Sequence, residues 1–234
     1  MLRLVTKSDI WAVENRAAQD FLQPQPKWQL KNIQDAVAME LLAGVSGQTV
    51  GEVGGGRSRV LPELVKQGNH CFNIDRFDGN PITGLGPNGV PDMSGVTPII
   101  GLVGDPLAWP PGQFDILFSI SVLEHVSAHK LGPFFEDCRR LLKIGGRLLH
   151  LIDVYAGDSP DEYVERCMAG YREPFTSWLE PAGAVMTEPV TFRCAWASNP
   201  DPAMKWWNEI APALAAKRAV AQSCSLVMDG RRKA

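Results

Sequence analysis

The chain predicts an α/β fold: a doubly wound, mostly parallel sheet of seven strands, with helices on both faces and a helical N-terminal extension. Three observations carry that expectation. Apolar runs of strand length alternate with helical periodicity along most of the 234 residues. The run Gln48 to Val53 meets three consecutive glycines, Gly54-Gly55-Gly56, and Val60, Leu61, Leu64 and Val65 then recur at helical spacing. Phe114 to Ile120 is nearly all apolar, as a central parallel strand buried on both faces must be.

Each element has a local reason. Ser8 or Asp9 can cap a first helix over Ile10 to Phe21, which Pro24 and Pro26 would stop. A second helical pattern runs from Leu30 to Leu42 and ends near Gly44. These two helices read as a layer on the sheet; the other reading is a lid that brings Trp11 and Trp28 to a ligand. After the glycines, a helix over Arg59 to Gln67 stops at Gly68, with Pro62 in its first turn, where a missing N–H costs little. Cys71 to Asp75 is a second strand, ending in an acid. Arg76 to Gly95 is rich in Gly, Pro, Asn and Asp and has no helical period, although a parallel crossover normally carries a helix there. Val96 to Val103 is a third strand, closed by Gly104-Asp105-Pro106, and Phe114 to Ile120 a fourth. A helix over Leu131 to Leu142 should end at Lys143-Ile144-Gly145-Gly146, with glycine at its C-cap. Arg147 to Val154 is a fifth strand. Helices over Asp161 to Met168 and Tyr171 to Trp178, a strand over Val190 to Trp196, a helix over Met204 to Lys217 and a strand over Gln222 to Met228 complete the pattern.

Composition narrows the function. An apolar content of 45% and a charged content of 21% are ordinary for a soluble globular protein, and the length suits one domain over 1–234. Within it, 1–45 is the extension, 46–154 a ligand-binding core and 155–234 a part that shapes the substrate site. The net charge is −3, and the basic cluster is the short tail Arg231-Arg232-Lys233, so nucleic acid is not the expected partner. No apolar run reaches the length of a membrane span, and Met1 to Asp20 lacks a signal-peptide h-region. Cys71, Cys138, Cys167, Cys194 and Cys224 are scattered without a CxxC pair, as expected of reduced thiols in the cytoplasm.

The glycine turn is the centre of the reading. Glycine tolerates positive φ and lets a ligand approach the backbone. A dinucleotide fingerprint would need Gly or Ala at position 59, which is Arg59, and an acid, Glu52, stands two residues before the first glycine. There is no GK[ST] ending, which excludes a P-loop. Asp75 follows Glu52 by 23 positions, close to the spacing of a ribose-binding acid after such a turn.

In order, Glu52-Val53-Gly54-Gly55-Gly56, the strand-ending Asp75, Gly104-Asp105, Phe114-Asp115-Ile116-Leu117 leading into Val122-Leu123-Glu124-His125-Val126, and Leu141-Leu142-Lys143-Ile144-Gly145-Gly146-Arg147-Leu148-Leu149 resemble class I S-adenosylmethionine-dependent methyltransferases. The resemblance spans Gln48 to Val154 and is closest to the broad small-molecule group. It implies a Rossmann-like sheet and S-adenosylmethionine as cofactor. Glu52 would serve the methionine ammonium, with the carbonyls of Ser119 and Ile120. The Gly54, Gly55 and Gly56 backbone would pass the methionine and ribose, and Asp75, with Arg76 beside it, would serve the ribose. Gly104 and Asp105 would serve the adenine, Asp105 accepting from its amino group; Pro106 has no N–H, so a backbone donor there is lost or moves to Leu107.

Methyl transfer from a sulfonium needs a positioned acceptor and, for a hydroxyl, a place for its proton. His125, after the fourth strand, and Asp153, at the end of the fifth, are the candidate catalytic residues. His150 lies on the opposite strand face from Asp153, which makes it structural. No His/Cys/Asp/Glu group has metal spacing. The aromatics Tyr155, Tyr163, Tyr171, Trp178, Trp196, Trp206 and Trp207, with Arg166, Arg172 and Arg193 among them, suit a small-molecule or glycan acceptor methylated at oxygen. A non-catalytic subunit of the same fold, and less favoured a nicotinamide-dependent oxidoreductase, are the alternatives.

Overall fold

The computed structural model describes residues 1–14, 30–79, 89–105, 109–191 and 222–234. Four of its strands follow the expected runs: β2 (Thr49–Val53), β3 (His70–Asp75), β4 (Val96–Ile100) and β5 (Phe114–Ile120). With β6 (Leu142–Ala156) they form the parallel part of the sheet. β8 (Gln222–Arg232) pairs antiparallel with β6, and its outer edge carries two short antiparallel strands end to end, β1 (Leu2–Leu4) and β7 (Leu179–Pro181). The order is β1-β8-β6-β5-β2-β3-β4, with β7 also on β8. Seven positions across the sheet are thus filled by eight strands. β1 and β7 have three residues each, too few for a periodic signal.

Alternation of side chains builds two cores. Ile116, Phe118 and Ile120 of β5 and Leu149 and Leu151 of β6 pack with Ile33, Ala36 and Val37 of α2 (Leu30–Leu41) and Leu61 and Leu64 of α3 (Leu61–Lys66). Leu117, Leu148, Ile152 and Val154 face the other way, onto Phe134, Phe135 and Cys138 of α4 (Leu131–Leu141) and Val164, Met168 and Tyr171 of α5 (Glu162–Ser177). α1 (Lys7–Glu14) precedes α2.

Several expectations are corrected. The N-terminal segment opens with a strand before its helices. α4 ends at Leu141, and Leu142 is already extended, so Gly145 caps no helix. Instead Lys143 to Gly146 bulge out of β6, between the pairs Phe114–Leu142 and Ile116–Arg147, with Gly145 at φ +77. The two helices expected after β6 are one, capped by the Asp161 carboxylate on the Tyr163 and Val164 amides. Its buried stripe of Val164, Cys167, Met168, Tyr171 and Pro174 runs without a break. Of the strand expected over 190–196, Val190 and Thr191 are described, Thr191 bridging Gly157. The expected helix over 204–217, Trp28, the Trp11 side chain, Arg193, Trp196, Trp206 and Trp207 lie outside the described residues. The described parts of the Arg76–Gly95 segment, 76–79 and 89–95, carry no helix.

β2 has β3 on one side and β5 on the other, so the direction of winding reverses between β2 and β5. In open α/β sheets the crevice outside the carboxyl ends of such strands is where ligands bind.

Candidate active site

The glycine turn closes over the end of β2. Gly54 and Gly56 have φ of +65 and +50, a region costly to residues with a Cβ. Gly55 has no room for one: an added Cβ would lie 2.6 Å from Asn73 Oδ1 and 3.0 Å from Glu52 Cδ. A Cβ on Gly54 would lie 2.6 Å from Val122 Cγ2, which presses the turn against the segment leaving β5. Asn73 donates to the Gly56 carbonyl at 2.8 Å, and the Asp75 carboxylate accepts from the Gly56 amide at 3.0 Å and the Phe77 amide at 2.9 Å. Glu52 is buried and accepts a short hydrogen bond from Ser58, whose hydroxyl also accepts from the Val60 and Leu61 amides at the start of α3. Burial raises the Glu52 pKa to about 7; Lys31 and Ser58 oppose the rise.

A second group surrounds the ends of β5 and β6. Ser121 follows β5 at φ +55, unusual for a residue with a side chain. Its hydroxyl donates to Gln34 Oε1 at 2.7 Å and lies 3.1 Å from Asp153 Oδ1. Gln34 Nε2 donates to the same Asp153 oxygen at 2.7 Å and to Ser225 at 3.2 Å. One oxygen of Asp153 is therefore held from two elements. Burial raises the Asp153 pKa despite these bonds. Past Ser121, a single 3₁₀ turn carries Leu123, Glu124 and His125. His125 Nε2 lies 3.7 Å from Glu124 Oε1, and 44% of the His125 side chain is exposed. Burial lowers the His125 pKa, partly countered by Asp153. Both Glu124 carboxyl oxygens are buried without a hydrogen-bond partner among the described residues. Burial, then Asp153, hold the Glu124 pKa well above the usual range; the amides of Glu124 and Asp153 face it outside hydrogen-bond geometry and offset only part of this.

The structure thus gathers Glu52, Gly54, Gly55, Gly56 and Asp75 in one group, and His125 and Asp153 in a second beside it. Ser119 and Ile120 end β5 next to the second group. β2 pairs with β5 only as far as Phe118, which leaves these two residues beyond the end of that ladder. Ser119 is fully buried, 2.7 Å from His150 Nδ1. His150 packs against Phe134 and Phe135, and burial lowers its pKa to about 3, so it is a neutral core residue. Arg76, next to Asp75 in the chain, is paired with Asp78 at 2.7 Å. Gly104 and the exposed Asp105 lie by the start of α4, the Gly104 amide donating to Asp137 at 3.0 Å; no hydrogen bond joins them to Glu52 or Asp75 among the described residues. Pro106 and Leu107 are outside the described residues. One shallow cleft is lined by Gly104, Asp105, Pro133 and Asp137; another lies at the opposite end of β5, lined by Pro111, Lys143 and Arg232.

Sequence reasoning missed Gln34, Ser58, Asn73 and Ser121, and gave Glu124 no role beyond its place in the Val122 to Val126 motif. A signal existed for one of them. Asn32, Gln34 and Asp35 are polar residues among the buried apolar positions of α2, and all three are buried. Arg59, which broke the dinucleotide pattern, answers two of them, donating to Asn32 at 2.6 Å and facing Asp35 at 3.4 Å.

Residues 51–150 match the family model described as a methyltransferase domain. A geranyl diphosphate C-methyltransferase from Streptomyces coelicolor A3(2), solved with Mg2+, geranyl diphosphate and S-adenosyl-L-homocysteine, superposes with a TM-score of 0.52 at 12% identity, over 98% of this chain and 99% of that one. A chain of the complex between the Haloferax volcanii Trm112 methyltransferase activator and a methyltransferase does so with a TM-score of 0.53 at 17% identity, over 97% and 96%. No curated protein matches the chain in sequence. The sheet order and the glycine turn place the molecule in the class I, Rossmann-like fold. Residues 51–150 are thus a methyltransferase domain on that fold.

Proposed function

We propose that the ends of β2, β3 and β5 hold S-adenosylmethionine, through Glu52, the Gly54, Gly55 and Gly56 backbone, Asp75, and the Ser119 and Ile120 carbonyls. The observation that carries this reading is the buried Glu52 carboxyl beneath a turn where Gly55 leaves no space for a side chain. The donor set fits the ligand. Glu52 matches an ammonium, and each Asp75 oxygen has a second acceptor site left for a ribose hydroxyl. Gly104 and Asp105, at the adenine end, and Arg76 complete the set as it is read from sequence. When bound, the cofactor supplies a methyl group on a sulfonium. Calorimetry should show S-adenosylmethionine and S-adenosylhomocysteine binding to the wild type, weakened roughly 10- to 100-fold by Asp75→Ala, as loss of charge-assisted hydrogen bonds implies. A wild type that binds neither would end this placement.

The acceptor, in this reading, is a small molecule or glycan methylated at oxygen, and the single domain over 1–234 works in the cytoplasm. His125 takes the hydroxyl proton and Asp153 orients the acceptor or the imidazole. Three features support this. The lowered pKa leaves His125 as free base at neutral pH. Its ring reaches solvent, where the proton can go. Gln34 and Ser121 hold one Asp153 oxygen, which frees the other for the site. His125→Ala should cut kcat roughly 100-fold, as removal of a general base does, and flatten the acidic limb of the pH profile. Full kcat at every pH would remove His125 from the chemistry.

A further inference from the structure

Among the described residues, the carboxyl ends of β2, β5 and β6 hold more buried acid than cation. Glu52, Asp153, Glu124 and Asp35 all feel the field of one ammonium, Lys31. That ammonium is half-exposed, 3.5 Å from Asp35. Arg59 serves Asp35 and Asn32. Other titratable groups facing Glu124 are His125 on its own turn and Tyr163 and Tyr171 from α5, with Cys167 between the two tyrosines in sequence. None of these is an added fixed positive charge. Glu124 is the extreme member, since neither of its oxygens has a hydrogen-bond partner among the described residues. It stands two residues after Val122, whose side chain touches Gly54 of the turn.

We propose that Glu124 is the counter-ion of the cofactor's sulfonium: it carries a proton in the free enzyme, loses it to solvent when S-adenosylmethionine binds, and takes one back when the thioether product is left. The proposal rests on the placement of the cofactor at these strand ends. A buried, unpaired carboxyl is held neutral by desolvation, and an adjacent cation reverses that preference. The charge balance is simple. One cation enters, one proton leaves, and the enclosed charge is unchanged. After transfer the methyl sits on the acceptor, the S–CH3 electron pair stays on sulfur, the hydroxyl proton leaves through His125, and Glu124 regains a proton from solvent. Glu124 would thereby tell substrate from product by charge, since S-adenosylhomocysteine has the same outline without the positive sulfur.

Calorimetry near neutral pH in buffers of different ionisation enthalpy counts the protons exchanged on binding. Release should be larger for S-adenosylmethionine than for S-adenosylhomocysteine, by up to about one proton, and the affinity ratio should rise with pH by up to about tenfold per unit. Glu124→Gln keeps the shape and cannot ionise. It should still bind S-adenosylhomocysteine, which shows that it is folded, and should bring the proton counts for the two ligands together. Equal counts in the wild type overturn the proposal without need of a variant, and so does a difference that survives in Glu124→Gln. If the wild type binds neither ligand, the cofactor placement fails first and the proposal falls with it.

Discussion

Toward the amino end of the parallel strands, Lys143 and Arg147 meet Asp115 and Asp229 at hydrogen-bond distance; among the described residues, Glu52, Glu124 and Asp153 at the carboxyl end meet no cation so closely. Lys143 reaches both Asp115 oxygens at 2.8 Å, and Arg147 grips Asp229 with two parallel bonds of 2.8 Å. Arg232 donates to the Arg139 and Leu142 carbonyls at 2.6 and 2.5 Å, where α4 ends and its dipole favours a cation. Burial alone would raise the Asp115 pKa, but the Lys143 and Thr49 hydrogen bonds bring it below the usual range. At the other end burial wins, and the carboxyls of Glu52, Glu124 and Asp153 are raised. Among the described residues, the same sheet thus satisfies its charges where it only has to fold and leaves acids short of partners where a ligand with two cationic groups is proposed to sit. Strain of this kind at one end is affordable only if the other is well made.

The largest effect should come from breaking the well-made end. Arg147 is mostly buried and Asp229 is 3% exposed, so Arg147→Ala leaves a buried carboxylate without its partner. Loss of one member of such a pair typically costs about 3 to 5 kcal/mol. Urea unfolding should show that loss, while the folded fraction binds S-adenosylmethionine as the wild type does. A stability change under about 1 kcal/mol would mean that the amino end is no better paired than the carboxyl end.

Glu52→Gln should act in the opposite direction. The folded pKa of Glu52, about 7, lies above the ordinary 4.5. Below the ordinary value the carboxyl is neutral in both states, and its protonation costs nothing. As pH rises toward 7 the unfolded chain ionises first, so folding loses stability, and the loss levels off above the folded pKa. At 1.36 kcal/mol per unit, the full cost is about 3 kcal/mol. Glu52→Gln, which can keep the Ser58 hydroxyl as a partner, should therefore be more stable than the wild type at pH 8 by up to that amount and equal to it at pH 4. Its affinity for S-adenosylmethionine should fall roughly tenfold, because the anion facing the ammonium is gone. Equal stability of the two proteins at both pH values would show that Glu52 is not desolvated.

The same contrast explains what was legible in the sequence. β2, β3 and β5 were readable because parallel strands are continuous apolar runs, and Gly54, Gly55 and Gly56 because backbone conformation demands glycine locally. Asp75 was readable by its position at a strand end. Gln34 was not: it reaches Asp153 across 119 positions, and its helix shows only an apolar pattern with polar interruptions. Tertiary pairing of that range leaves no periodic trace. Likewise Gly145 looked like a helix cap because glycine at positive φ serves caps and bulges equally well; the strand register alone tells them apart. The pairing of Ser119 with His150 follows from the β5–β6 register, which places the two opposite each other.

Ser121 offers the smallest and finest test, because two opposed effects meet in one residue. Its φ of +55 costs a residue with a Cβ about 1 kcal/mol, and its hydroxyl returns a similar amount through the bond to Gln34. Ser121→Gly relieves the backbone and loses the bond, so its stability should stay within about 0.5 kcal/mol of wild type. Ser121→Ala loses the bond and keeps the strain, and should be less stable by about 1 kcal/mol. Both variants free the Asp153 oxygen from one of its two side-chain partners, so both should lose turnover by a similar factor. Parallel losses of activity with unequal losses of stability would separate the backbone strain from the positioning of Asp153. Equal stabilities for Gly and Ala would show that the strain at this turn is negligible, and that the end of β5 is held as quietly as the amino end of the sheet.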